Sequence, residues 1–160
     1  MFMKNVSGSY SNLGNDQLSN MFRLDGKVIV ITGASGLLGS KFVEIIANFG
    51  GIPVIVDINQ DSSRDLAATI EEKFKISPTI HSIDITNEKD VRNSADLLIK
   101  QYGKIDALVN NAANNPSIEN KDTKKFSRVE NFPLEDWEQD LSVGLTGAFI
   151  CSKHYGGKIK

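Results

Sequence analysis

Between Val28 and Val109, four short apolar runs alternate with longer segments whose apolar residues recur at helical spacing. Val28-Ile29-Val30-Ile31 is apolar and β-branched throughout, as suits a strand buried on both faces. Pro53 to Val56 (ending at Asp57), Thr79 to Ile85, and Ile105 to Val109 are the other runs. After the first, Leu38, Phe42, Ile45, Ile46 and Phe49 share one predicted helical face, and Gly50-Gly51 ends that helix. A second predicted helix, capped by Ser62 or Ser63, carries Leu66, Ile70 and Phe74. A third carries Val91, Ala95, Leu98, Ile99 and Tyr102 and stops at Gly103. Strands joined by helical crossovers run parallel, and right-handed crossovers give the order 3-2-1-4. The expected fold is therefore α/β, a doubly wound parallel sheet with helices on both faces. Ligands of such sheets bind beyond the carboxyl ends of the strands where the order reverses, here between the first and fourth strands.

Composition narrows the classes of function. With 160 residues, 40% of them apolar and 24% charged, the chain suits one globular domain. Ten of the first twenty residues are Ser, Asn or Gly, so residues 1–21 read as a flexible polar tail and 22–160 as the domain. Lys and Arg number 18 against 20 Asp and Glu, a net charge of −2 that offers no basic field for nucleic acid or an anionic membrane. The apolar runs are too short to span a bilayer, and no secretion signal is visible, so the expected location is cytoplasmic. Cys151 is the single cysteine, and His81 and His154 lie far apart, so neither a disulfide nor a metal site is expected.

The chemistry concentrates at Thr32-Gly33-Ala34-Ser35-Gly36-Leu37-Leu38-Gly39, between a buried strand and a helix. A glycine in such a turn tolerates positive φ, a second lets the backbone approach a phosphate, and a third lets the helix pack against its strand. The N–H groups at the helix start can then bind a pyrophosphate, with Ser35, Leu37 and Leu38 lining the turn. The plainer alternative is a tight strand–helix turn and nothing more. Asp57 ends the second strand, eighteen positions past Gly39. A carboxylate there can accept from both hydroxyls of an adenosine ribose and would repel a 2′-phosphate. No Lys or Arg stands in Ala34-Ser35 or Ile58-Asn59, so NAD is expected over NADP. The other reading of Asp57 is a solvated strand-end carboxylate. Asp84 can reach the adenine amino group, with Ile85 against the ring, or can simply form a turn.

These segments, together with Asn110-Asn111-Ala112-Ala113 and Trp137…Leu145-Thr146-Gly147-Ala148-Phe149, resemble the short-chain dehydrogenase/reductase family from about Phe22 onward. The resemblance implies a Rossmann-type fold and an NAD-dependent oxidoreductase that moves hydride between nicotinamide and an alcohol or ketone, with a carbohydrate-derived substrate as one expectation. It places Asn110 and Ala112 beside the riboses, and has Asn110 and Asn111 tie the fourth strand to its neighbours. It also implies a homo-oligomer.

The chain departs from the family pattern in three places. Its G-x-x-G-x-x-G spacing is more usual in the extended branch, which leaves a nucleotide-sugar epimerase or dehydratase as an alternative. Gly144 stands where the family carries an Asn that holds a water linked to the catalytic lysine. The family's Tyr, its Lys four residues later and its Ser are not matched, because Tyr155 is followed at plus four by Ile159. Tyr155 is expected to pack, and no catalytic residue is assigned. The chain therefore reads as the cofactor half of such an enzyme, ending within a fifth or sixth helix, with the fourth strand left as an open sheet edge and one face of the Trp137–Tyr155 helix without its cover. A catalytically silent NAD-binding module is the remaining alternative. Lys121, Lys124, Lys125 and Arg128 near Phe126 are offset by Glu119, Asp122 and Glu130 and read as a solvated loop, or as a receiver for an anionic substrate.

Overall fold

The apolar runs become the four strands of one sheet, covered by helices on both faces. The structure is a computed structural model that describes residues 21–114 and 129–159. Residues 1–20 of the expected tail and Lys121, Lys124, Lys125 and Arg128 of the basic loop lie outside the described residues. In chain order the elements are β1 (Val28–Thr32), α1 (Leu37–Asn48), β2 (Ile52–Asp57), α2 (Gln60–Phe74), β3 (Thr79–Ser82), α3 (Glu88–Tyr102), β4 (Ala107–Val109), α4 (Leu134–Leu141) and α5 (Ala148–His154). All strand pairs are parallel, in the order β3-β2-β1-β4. This is the doubly wound, Rossmann-like arrangement expected from the alternation of runs.

Strand alternation divides the core in two. Val28 and Val30 of β1 face a layer with Val91, Ala95 and Leu98 of α3, Ile150 of α5, and Tyr155. Ile29 and Ile31 face the opposite layer, with Val43, Ile46 and Ala47 of α1 and Ile70 of α2. Each fully buried Val, Leu or Ile among them contributes about 1.5–3 kcal/mol of transfer free energy.

The buried face of α1 is not the predicted one. Gly39, Val43, Ile46 and Ala47 meet the sheet, while Leu38 is 64% exposed and Ile45 54%. Two neighbouring stripes of this helix are both apolar, and the one with smaller residues wins because it allows closer approach to the strands. The cap of α2 is Asn59, whose side chain accepts from the Ser62 N–H, rather than Ser62 or Ser63. Strands β3 and β4 are shorter than their apolar runs, and Ile105 lies outside β4.

Helices α4 and α5 are joined by a π-helical stretch, Ser142–Gly147, so the backbone stays helical from Leu134 to His154. Trp137, Leu145 and Phe149 stay exposed on it, as expected. The described chain runs past α5 through a 3-10 turn, Gly156–Lys158, and Ile159 makes a parallel bridge to Ile105. The expectation that the chain stops inside a helix is thus corrected, and the edge beside β4 is partly met.

The contact between β1 and β4 is only three residue pairs long. Below it, the Asp106 carboxylate accepts from the Val28 N–H at 2.8 Å and from Lys27 at 2.9 Å, and pairs with Lys104 at 2.9 Å. Partial burial opposes ionisation of Asp106, but the hydrogen bonds from Lys27, the Val28 N–H and Lys104 outweigh it and hold the carboxyl well below the usual range. Above the ladder, Thr32 Oγ1 accepts from the N–H groups of Asn111 and Ala112, at 3.0 and 3.1 Å.

Candidate functional site

The chain leaves β1 through a turn that only glycines can form. Gly33 has φ +61°, and a Cβ there would lie 2.7 Å from Ala112 Cα. A Cβ on Gly39 would lie 2.1 Å from the Gly33 carbonyl oxygen, so this glycine seats α1 directly on the turn. Gly36 caps α1 without a side-chain bond, and its own N–H donates to the Gly33 carbonyl at 3.2 Å. The first N–H groups of a helix have no partner within the helix, and those of α1 start at the crevice, where Gly36, Leu37 and Leu38 form part of the wall. The Asn111 amide donates to the carbonyls of Thr32 and Gly33, both at 3.0 Å, and so ties the turn to the loop after β4.

A crevice of about 630 Å³ opens at this point, where the strand order reverses. Gly33, Ser35, Gly36, Leu37 and Leu38 form one wall. Asp57 stands at the end of β2, with Oδ2 accepting from the Ser35 N–H at 2.9 Å and Oδ1 from the Asn59 N–H at 3.0 Å. Two backbone donors thereby orient the carboxylate, and each oxygen keeps a second lone pair for a ligand hydroxyl. Asp84 and Ile85 also line the crevice. Oδ1 of Asp84 accepts from the Thr86 N–H and hydroxyl, both at 2.8 Å, so the residue forms a turn while bordering the cavity. Among the described residues, the charged groups lining the crevice are Asp57 and Asp84, and no Lys or Arg joins them.

The far wall holds Ala112 and Ala113, with Asn114, Gln139 and Val143. Asn110 is placed differently from the sequence expectation. Its amide donates to Ser152 Oγ at 3.0 Å and to the Ala148 carbonyl at 3.4 Å, tying β4 to α5 outside the crevice. Asn111, one residue on, is the group that reaches the glycine turn. Asn59, Asn114, Gln139 and Val143 are crevice residues that the sequence did not single out. Asn59 carried one readable signal, an Asn three residues before the helix donor it caps. Gly39 is buried behind the turn and does not line the cavity.

Tyr155 lies fully buried, with its hydroxyl 2.6 Å from Ser94 Oγ, and Ser94 in turn bonds His81 Nδ1. Burial pushes the phenol above its ordinary range, with the bond from Ser94 opposing only in part. Tyr155 is a packing group of the core layer behind the crevice and is not itself part of the lining. Gly144 has open space where a Cβ would go, whereas a Cβ on Gly147 would lie 2.7 Å from Ile85. Among the described residues no helix is long and apolar enough to cross a membrane.

Residues 27–157 match the family described as short chain dehydrogenase. The chain is 30% identical to an uncharacterized oxidoreductase of Thermotoga maritima over 131 residues, 82% of this chain and 47% of that protein. It is 28% identical to D-threitol dehydrogenase of Mycolicibacterium smegmatis, over 86% of this chain and 49% of that one. The solved structure of NAD+-bound xylitol dehydrogenase superposes with a TM-score of 0.74 at 27% identity, covering 84% of this chain and 48% of the other. The chain thus spans about half the length of the curated relatives it matches.

Proposed function

The chain belongs to the short-chain dehydrogenase/reductase family, and on that premise we propose that it binds NAD for an oxidoreductase acting on an alcohol or ketone. The observation that carries this reading is the crevice at the strand reversal, with a glycine turn on one wall, a backbone-oriented Asp57 at its rim and no basic side chain in its lining. The turn fits a dinucleotide because the first N–H groups of α1, which have no partner within the helix, start at its wall beside Gly36, Leu37 and Leu38.

When bound, the nicotinamide accepts or donates the hydride. In this reading Gly33, Ser35, Gly36, Leu37 and Leu38 cradle the pyrophosphate. Asp57 accepts from the adenosine ribose, Asp84 and Ile85 take the adenine, and Ala112 borders the inner ribose. Asn110 acts at one remove, by holding β4 against α5. A polyol-like substrate is supported by the relatives named for threitol and xylitol. The exposed Trp137, Leu145 and Phe149 support association of subunits. Tyr155 lacks a lysine four residues on, so the 160-residue chain is expected to bind cofactor without turning over substrate.

Calorimetry with NADH and NADPH tests the cofactor. NADH should bind tighter by roughly tenfold to a hundredfold, the equivalent of about 1–3 kcal/mol of screened repulsion between Asp57 and a 2′-phosphate. Asp57→Ala should narrow that gap, and tighter NADPH binding by the unmodified chain would overturn the assignment. The glycine spacing favours a second reading, a nucleotide-sugar epimerase or dehydratase using the same crevice. In a chain extended to the relatives' length, polyol-dependent formation of NADH decides for the first reading and nucleotide-sugar turnover for the second.

A further inference from the structure

The crevice has two chemically different ends. Asp57, Asn59 and Asp84 stand at the β2–β3 end, and Ala113, Asn114, Gln139 and Val143 at the end between β4 and α4. On the function proposed above, on which this inference rests, adenosine occupies the first end and the nicotinamide half the second. The wall of that second end comes from two separate pieces of chain, the loop after β4 and the helical backbone from the last turn of α4 to Val143. Asn114 Nδ2 joins them by donating to Asp140 Oδ1 at 2.9 Å.

Asp140 does not line the crevice, yet Gln139 beside it and Val143 three residues on both do. It sits just before the backbone widens into the π-helical stretch Ser142–Gly147. The helix is next pinned at Gly147, where only a hydrogen leaves room for Ile85, and at Ala148 and Ser152, which receive the Asn110 amide. Val143, which packs against the core layer, therefore lies on a wide helical turn between two anchors, one of them Asp140. A carboxylate accepts this bond more strongly than a neutral amide would, and its two equivalent oxygens leave no wrong orientation. Partial burial of the pair strengthens the bond further.

We propose that Asp140 is a positioning residue, which through Asn114 sets the gap between the loop after β4 and the helix, and hence the width of the nicotinamide end. It does so without touching the cofactor. Neighbouring groups fit this division of labour, because Asn111 already fixes the turn at the pyrophosphate and needs no help from α4.

The test separates the two halves of the ligand by titrating the 160-residue chain with NADH and, separately, with ADP-ribose, which lacks the nicotinamide. Asp140→Ala should weaken NADH about five- to tenfold, the value of one partly buried hydrogen bond, and leave ADP-ribose within about twofold. Asp140→Asn, which keeps an acceptor oxygen, should retain most of the NADH affinity. Asn114→Ala should reproduce the split, and the double variant should be no worse than either single one. Equal losses for both ligands, or no loss for either, would overturn the proposal. So would an unmodified chain that binds NADH no tighter than ADP-ribose. Failure of the unmodified chain to bind ADP-ribose at all would instead bring down the NAD reading itself, and this inference with it.

Discussion

The turn Thr32–Gly39 and the helical stretch Leu134–His154 border the same crevice, and they are held by different means. The turn is backbone against backbone. Gly33 adopts a left-handed conformation against Ala112, Gly39 rests on the Gly33 carbonyl, and Asn111 bonds two successive carbonyls. The helix is held by side chains at intervals, namely Asn114 to Asp140, Asn110 to Ser152, and Tyr155 to Ser94. Between those anchors its backbone loosens into a π turn and leaves space around Gly144. A wall made of backbone tolerates no side chain, whereas a wall made of anchored side chains tolerates much between the anchors.

The harshest way to break this contrast is Gly33→Val. A β-branched residue would meet both a positive φ and the Ala112 backbone, and should cost about 3 kcal/mol or more, read as a lower denaturation midpoint. A loss below about 1 kcal/mol would show that the turn relaxes and is less rigid than described. Next comes the far anchor of the helix. Ser94→Ala removes the partner of the buried Tyr155 hydroxyl and should cost about 1–3 kcal/mol, with Tyr155→Phe in the same background restoring part of the loss.

The third probe is pH. Burial holds His81 below its ordinary value of 6.5, so the folded chain binds this proton less readily than the unfolded chain does. Its contribution to stability is thus complete above pH about 6.5 and declines as pH falls below that value. Hydrogen bonds from Lys153 and His154 hold Glu88 down to about 2, so its loss belongs to a more acid range. Between about pH 7.5 and about pH 5.5 the melting temperature of the unmodified chain should fall further than that of His81→Gln, and parallel falls would exclude His81. The smallest effect sharpens the comparison most. Gly144→Ala should stabilise by roughly 0.5–1 kcal/mol, because helix propensity improves and nothing occupies the space. Destabilisation there would mean that the wide turn needs its glycine.

Much of the turn is legible in the amino-acid sequence, because its requirements are local. Three glycines at fixed spacing, a β-branched strand ahead of them and an acid at the next strand end define a backbone path with few alternatives. The strand order follows from the crossovers for the same reason. The helices are less legible. Leu38, Phe42 and Ile45 form as regular a stripe on α1 as Val43, Ile46 and Ala47 do, and periodicity alone does not tell which stripe meets the sheet. The chain His81–Ser94–Tyr155 draws on β3, α3 and the end of α5, so no spacing announces it. The Asn114–Asp140 link likewise joins residues 26 positions apart. Asn110 and Asn111 look equivalent in sequence, yet strand alternation sends one amide toward α5 and the other toward the glycine turn.

The clasps above and below the short β1–β4 ladder bear on how the crevice floor can move. Slippage of one strand along the other would have to rupture the Asp106–Val28 bond at one end and the Thr32–Asn111 bond at the other in a single event. Partial opening gains nothing, because releasing either end leaves the register still pinned by its opposite. The floor is thus a latched joint, so ligand entry has to be accommodated by the surrounding walls, and the Val28 amide hydrogen, held by the Asp106 carboxylate, should exchange only when that latch opens.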